Sequence, residues 1–384
     1  MLVHNQKIAI IGGGPGGLTL ARLLQVKGAQ VKVYERDFNK EVRVQGATLD
    51  LHKESGLAAL QKAGLMQAFK ENYRPGADKM VITDHQATIF YDQHTEATTE
   101  DFTSEYFRPE IDRGPLRNIL LESLQPGTVV WDSQFLNMQP KQNGWQVTFK
   151  NGTTAQADIV IGADGANSGV RPYITPIKPF YSGITAIEGN LPDAATTAPH
   201  IHAILKEGKI FAFGGNKSII VSAKGDGSLA FYTNGKMEDG WVTNSGIDFT
   251  NRQQVFHWFK QAYPEWDSIW YELFENEKAY FTPRPIYCMP LDQTWNAQPN
   301  LTMLGDAAHL MPPYAGEGVN MAMLDALELS EHITNDAYEN IPSAIAAYEK
   351  QMRARASETA RESLENGELM HTENALDTML KFFK

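Results

Sequence analysis

Cysteine is almost missing from this chain: Cys288 is the only one among 384 residues. That excludes an internal disulfide and any metal site built on paired thiolates. Cys288 sits in the apolar run Pro285 to Pro290 (PIYCMP), where a packed thiol is the expectation and a nucleophile the alternative. Long apolar stretches are missing too. Nothing approaches the ~18 consecutive apolar residues of a membrane-spanning helix. The N-terminal apolar run is too short for a signal peptide and leads straight into a glycine turn, so a cytoplasmic location is expected. Basic excess is also lacking: 34 Lys and Arg stand against 46 Asp and Glu, a net charge of −12. A general affinity for nucleic acid or anionic lipid does not follow from that balance. Repeats, low-complexity tracts and linkers are absent, which argues for interlocked units rather than beads on a string. With 42% hydrophobic and 21% charged residues the composition is globular, and 384 residues suffice for two or three units sharing a large core.

The most telling feature present is the run Lys7 to Leu18 (KIAIIGGGPGGL), followed by Val31 to Arg36 (VKVYER). It reads as strand, glycine turn, helix, strand and acid. Gly12, Gly14 and Gly17 fit G-x-G-x-x-G directly after the apolar residues Ile8 to Ile11. The first glycine permits the tight turn, the second lets backbone approach a pyrophosphate, and the third lets helix and strand pack closely. The helix N-terminus then offers free N–H groups and a favourable dipole to the diphosphate. Glu35 ends the second strand where an acid binds a ribose hydroxyl.

Further along, Ser55 to Phe69 and Asp112 to Leu124 carry helical apolar spacing. Residues 128–163 resemble a meander returning to a buried strand near 160, and residues 300–306 give another buried strand. Residues 178–290 alternate β-branched and aromatic residues and read as a second, mainly antiparallel sheet with a helix near 251–263. Helices follow over 318–333 and from Pro342 to near the end. The fold expected is α/β: a Rossmann-like nucleotide-binding unit with strands near 8, 32, 130, 160 and 302, an inserted β-sheet substrate unit, and a C-terminal helix. The first unit takes 1–75, 104–177 and 291–341, the second 76–103 and 178–290, and 342–384 form the C-terminal helical segment.

Two further motifs accompany the glycine turn: Gly162 to Arg171 (GADGANSGVR) and Gly305 to Asn320 (GDAAHLMPPYAGEGVN). With these three in this order, the chain resembles the class A flavoprotein monooxygenases along nearly its whole length. Within them it is most similar to the tetracycline-inactivating monooxygenases, through Val33 to Asp37, Thr48 to Lys53, Pro109 to Arg113 and Gly305 to Pro313. The resemblance implies FAD as cofactor and NADPH as a transient co-substrate. It implies a monomer that hydroxylates a phenolic or polycyclic aromatic substrate with O₂ by way of a flavin C4a-hydroperoxide. A tetracycline, and with it antibiotic resistance, is one candidate. No dedicated acid–base residue is required.

The resemblance also assigns roles by position. Asp306 would bind the ribityl chain of FAD, since a carboxylate accepts bonds from two hydroxyls; a helix cap is the alternative. The loop Pro312 to Asn320, with Pro313, Gly316, Gly318, Val319 and Asn320, would bring backbone N–H groups to the flavin ring. The helix starting near Gly318 would point its positive end at the ring's N1–O2 edge, favouring the anionic reduced form. Arg113 and Asp50 would hold FAD, and Arg36 would stack or bond near its adenosine end. Arg43 matches a position used toward NADPH, and Asp164 with Gly165 touches both FAD and NADPH. A solvated charge is the alternative for Arg113, a surface ion pair for Arg43, and a strand-to-turn cap for Asp164.

Candidate substrate contacts are Glu188, Lys209, Phe211, Phe213, Phe231, Tyr232, Met237, Pro313 and Tyr314. Around Ile187 or Glu188, Ala230 and Tyr232 this chain departs from the polar grip of the tetracycline-inactivating enzymes, and Lys209 alone keeps a polar partner there. Gly225 to Ala230 mimics a dinucleotide fingerprint, but a strand follows instead of a helix, so a hairpin is expected and no second nucleotide-binding unit. His309 reads as structural rather than as a base. His200 and His202 lie two apart on a strand or loop without acidic or cysteine partners, so no metal site is expected. Other flavoprotein readings are a non-hydroxylating oxidoreductase and a non-catalytic binding protein on the same fold. A disulfide reductase would need a cysteine pair, and a halogenase of this lineage a W-x-W-x-I-P segment; neither is present.

Overall fold

A computed structural model describes residues 2–42, 47–96 and 100–383. The apolar runs around Ile10 and Ile161 are buried on both faces, as expected for strands of a parallel sheet covered by helices. Five strands form that sheet in the order Leu301–Met303, Ile159–Gly162, Lys7–Ile11, Gln30–Tyr34 and Val129–Val130. Every pair is parallel, with Ile11 opposite both Gly162 and Tyr34, and Gly162 opposite Met303. These are the five strands expected from the sequence. Because they run in one direction, the glycine turn, Glu35, the Asp164 turn and Asp306 all emerge from one edge, where open α/β sheets bind ligands.

The second sheet has seven strands in the order Tyr280–Cys288, Phe180–Leu191, Leu229–Lys236, Lys217–Ala223, Lys209–Gly214, Met80–Asp84 and Ile89–Asp92. Its pairs are antiparallel except Lys209–Gly214 with Met80–Asp84. One face is a buried core of Ile187, Ile219, Val221 and Phe231 packed on Phe259, Trp270 and Phe274. The other carries Ile82, Phe211, Phe213 and Ile220; the final helix, Ala375–Phe383, packs on Ile82 and Phe213 and leaves Phe211 and Ile220 half-buried.

Local departures from the sequence reading have local causes. The 55–69 pattern forms one helical stretch, Lys53–Leu57 running into Ala58–Ala63, and then the short helix Met66–Lys70, because Gly64 takes a left-handed conformation at φ 72° and stops the first. His200 and His202 lie on the short helix Pro199–Leu205, started by a proline at its first position, and not on a strand or loop. His200 also has an acidic partner, Glu272 at 2.5 Å, that sequence neighbours do not reveal. The C-terminal region is two helices, Ile341–Met370 and Ala375–Phe383. Residues 225–229 sit in the hairpin between Lys217–Ala223 and Leu229–Lys236, as expected.

Candidate active site

The glycine turn closes tightly. Gly12 has φ +110°, and a Cβ there would lie 2.2 Å from the Ala163 carbonyl oxygen. A Cβ on Gly17 would lie 2.2 Å from the Gly12 carbonyl oxygen. Gly14 differs: a Cβ there would meet nothing within 4 Å, so open space lies before the N-terminus of the helix Pro15–Val26. Glu35 is buried one residue past its strand and accepts from the Gly13 N–H at 2.6 Å and the Asp37 N–H at 3.2 Å. Acid and turn are thus one unit. Arg36 is exposed at the same corner, and Arg43 lies outside the described residues.

The Asp164 carboxylate is committed to its own turn. It accepts from Ser168 Oγ at 2.6 Å, Gly169 N–H at 2.7 Å and Val170 N–H at 3.3 Å. The strand-to-turn cap therefore describes what this side chain does in the turn. Arg171, six percent exposed, links this turn to the Asp306 loop. It donates to the carbonyls of Ala307 at 2.7 Å, Asp306 at 2.8 Å and Ala166 at 3.2 Å. Arg171 closes the Gly162 to Arg171 motif without a role readable from sequence; the one cation at the end of that glycine-rich turn is the signal that could have marked it.

Asp306 opens the short helix Asp306–His309, just past Leu301–Met303. Its carboxylate makes no hydrogen bond among the described residues. Burial pushes its pKa up, opposed by the positive groups His309, Arg113 and Arg171. Arg113, exposed at the start of the helix Arg113–Glu122, donates from Nε to the Ala47 carbonyl at 3.0 Å. His309 is buried, with Nε2 2.5 Å from the Asp325 carboxylate, in keeping with a structural histidine.

The loop after Asp306 is braced from behind. Ser363 Oγ donates to the Pro312 carbonyl at 2.5 Å, and Asn366 donates to the Tyr314 carbonyl at 3.2 Å, both from the helix Ile341–Met370. Pro313 and Gly316 are exposed, and the helix Gly318–Thr334 begins behind half-buried Val319. The Asn320 side chain is wholly internal. It accepts from the N–H groups of His52 and Gly56 and from Ser55 Oγ, and donates to the Asp50 carbonyl at 3.0 Å. Its side chain staples the loop and is not free for a ligand. Asp50 approaches Gly316 and bonds His52, whose other ring nitrogen meets Glu317. His52 and Glu317 were given no role from sequence.

On the second sheet, Phe211, Ile220, Tyr232 and Glu188 lie directly opposite one another across four strands and so share a face. Phe231 does not. Side chains alternate along a strand, so Phe231 points opposite to Tyr232, into the back core against Phe274 at 5.3 Å and Phe281 at 6.1 Å between ring centres. Phe231 is therefore corrected from pocket wall to core. Phe213 shares the Phe211 face but is buried under the final helix, and Met237 lies just past the end of Leu229–Lys236. Lys209 is ion-paired with buried Glu110. Burial works against its ammonium, but Glu110 and Asp50 more than offset it and hold its pKa above the ordinary lysine value. Glu188 is paired with Arg284 at 2.8 Å. Burial, and then Glu188, pushes the Tyr232 hydroxyl pKa up. Tyr314 packs over Gly367, its hydroxyl buried without a hydrogen-bond partner among the described residues. Among the described residues there is no His, Cys, Asp and Glu cluster able to hold a metal. No helix there is long and apolar enough to cross a membrane. Cys288 is buried, and burial pushes its thiol up to about 11.

The family model described as "FAD binding domain" matches residues 5–214 and 293–363. The chain belongs to this FAD-binding family. A monooxygenase of Emericella nidulans, asqM, is 28% identical over 97% of this chain and 97% of the relative. The 3-amino-4-hydroxybenzoate 2-monooxygenase PtmB3 of Streptomyces platensis is 26% identical over 96% of this chain and 89% of its own. The chain is thus an FAD-dependent flavoprotein of the monooxygenase class. Among solved structures, Klebsiella pneumoniae HpxO complexed with FAD and uric acid aligns with TM-score 0.77 at 19% identity, covering 99% of this chain and 92% of that one. Tetracycline destructase Tet(55) aligns with TM-score 0.77 at 17% identity, covering 100% and 96%. At those identities the likeness is one of fold. The residues present fit FAD: open space lies before Gly14 at a helix N-terminus, and the Asp306 carboxylate, without a hydrogen-bond partner among the described residues, has acceptor capacity to spare.

Proposed function

We propose that this protein is an NADPH-dependent aromatic hydroxylase that binds FAD extended along the loop edge of the parallel sheet. Gly12, Gly14 and Gly17 would hold the diphosphate, Glu35 the adenosine ribose, Asp306 the ribityl chain, and Arg113 and Asp50 the region between. When bound, the flavin supplies the redox chemistry that stores nicotinamide electrons and activates O₂. The chain's own residues bind, orient and exclude water. Backbone N–H groups of residues 312–320 present a positive helix end to the ring. The apolar face of Phe211, Ile220 and Tyr232, with Pro313 and Tyr314, would receive a flat aromatic ring. The observation that carries the reading is the convergence of an unpartnered carboxylate at Asp306 and an open glycine cradle at Gly14 on one edge of the sheet.

We assign residues 1–75, 104–177 and 291–341 to the FAD unit, and 76–103 with 178–290 to the substrate unit. With a hairpin at 225–229, a second dinucleotide unit is lacking among the described residues, so NADPH would dock transiently on the FAD unit. Lys209 and Glu188 are engaged by Glu110 and Arg284, which favours substrates recognised by shape and stacking over those needing a free ionic grip. Phenols and polycyclic phenols fit this description, tetracyclines among them.

The test is NADPH oxidation by purified holoprotein over a panel of phenols and tetracyclines, with product mass. Stimulated oxidation with a gain of one oxygen atom from labelled O₂ supports the proposal. Stimulated oxidation with no oxygen in any product would favour a non-hydroxylating flavin oxidoreductase.

A further inference from the structure

Glu317 immediately precedes the helix Gly318–Thr334, where a carboxylate can fold back onto the free N–H groups of the first turn. It does not do so: its side chain caps nothing on that helix. Instead it reaches sideways to His52 Nδ1 at 2.9 Å, while His52 Nε2 lies 2.9 Å from Asp50 Oδ2. A ring with a carboxylate at each nitrogen is satisfied only as imidazolium, since a neutral ring would aim a lone pair at one of them. The His52 main chain is fixed as well, its N–H donating to Asn320 Oδ1 at 2.9 Å on the first turn of the same helix.

We propose that His52 is a positioning residue: by holding the Glu317 carboxylate aside, it keeps the N-terminus of Gly318–Thr334 open to the flavin ring. This rests on the FAD placement proposed above. An anion folded onto that helix end would compete with the ring's electron-rich edge for the same N–H groups. The charged groups facing His52 are Asp50 and Glu317, with Lys209 and Glu110 beyond Asp50; neighbouring Lys53 turns away to the Thr103 carbonyl. Burial would lower the His52 pKa, but hydrogen bonds and charge from Asp50 and Glu317 raise it to about 9. A histidine pKa raised by folding stabilises fully below its unfolded value of 6.5, and the contribution is lost as pH climbs to about 9. Glu317 is then released.

The experiment measures FAD release from full-length holoprotein, by flavin fluorescence on dilution, for wild type, His52→Gln, Glu317→Gln and the double variant across pH. Circular dichroism and thermal unfolding check folding. His52→Gln should weaken FAD binding about tenfold at neutral pH. Glu317→Gln, which removes the competing charge, should bind as wild type does, and the double variant should recover most of the loss. Wild-type affinity should fall as pH approaches 9. The His52→Gln protein should lack that step, which also controls for the cofactor's own ionisation. A simple packing role for His52 would leave the double variant as weak as His52→Gln, and that result overturns the inference. So does wild-type FAD affinity unchanged by both single substitutions. A folded wild-type protein that binds no FAD overturns the FAD placement and this inference together.

Discussion

Gly14 and Asp306 stand out by what does not touch them. A Cβ on Gly14 would meet open space, whereas one on Gly17 would strike the Gly12 carbonyl at 2.2 Å. Gly17→Ala is thus expected to cost the fold about 1–3 kcal/mol through overpacking. Gly14→Ala should leave urea unfolding of the apoprotein within about 0.5 kcal/mol of wild type, while flavin retention drops. Equal damage from both substitutions would mean that Gly14 serves the fold alone. Asp306→Asn separates the same two roles with opposite signs. The carboxylate is recessed and makes no hydrogen bond among the described residues, and burial raises its pKa against the opposing charges of His309, Arg113 and Arg171. Removing its charge should raise the apoprotein's melting temperature at neutral pH and lower FAD affinity about tenfold or more. The stability gain should vanish toward acid pH, because an acid whose pKa is raised by folding holds its proton better in the folded chain. Calorimetry and flavin titration across pH check both halves. These residues were legible because each lies inside a motif whose spacing already states the chemistry. Arg171 and His52 also lie in motifs, but Ala307 and Glu317, which they reach across the fold, are 136 and 265 positions away, and no local pattern reports such a contact.

At the scale of elements, strands were legible and their facing was not. Apolar runs located all five parallel strands, and alternation located the second sheet. In Leu229–Lys236, however, residues on both sides of the pleat are large: Phe231 fills the back core and Tyr232 the opposite face. Composition alone cannot choose between them; pairing register can. Phe231→Ala should therefore cost about 3–5 kcal/mol of stability, as deletion of a buried aromatic does. Phe211→Ala should cost less and act on substrate handling, raising KM for aromatic substrates with FAD retention unchanged. Denaturant unfolding together with steady-state kinetics distinguishes the two, and a large KM effect from Phe231→Ala alone would reverse the facing. The C-terminal helices were legible as helix, but their use was not. That Ile341–Met370 braces the Pro312 and Tyr314 carbonyls, and that Ala375–Phe383 covers Ile82 and Phe213, depends on contacts far apart in sequence.

Over the whole molecule, the two sheets are joined by a short polar ribbon rather than by apolar packing alone. Glu110–Ile111 pairs with Leu49–Asp50, and three contacts tie it to the second sheet. These are Lys209 with Glu110, Arg74 Nη1 to the Ala223 carbonyl at 2.7 Å, and the Gly225 N–H to Asp112 at 2.9 Å. Lys209 is the only cation here that faces both Glu110 and Asp50 among the described residues. Burial pushes the Glu110 pKa up even with Lys209 beside it, so the pair is held against a desolvation cost. Lys209→Met would leave Glu110 buried without its partner, and a loss of about 3–5 kcal/mol is expected. Adding Glu110→Gln to Lys209→Met should restore much of it, since the uncompensated charge rather than the missing contact is what destabilises. Urea unfolding of the four proteins in this double-mutant cycle measures the coupling directly. Additive losses, with no recovery in the double variant, would show that Lys209 works through packing and that the ribbon does not link the sheets electrostatically. Recovery of stability without recovery of turnover would place the ion pair at the seam where FAD unit and substrate face must stay in register.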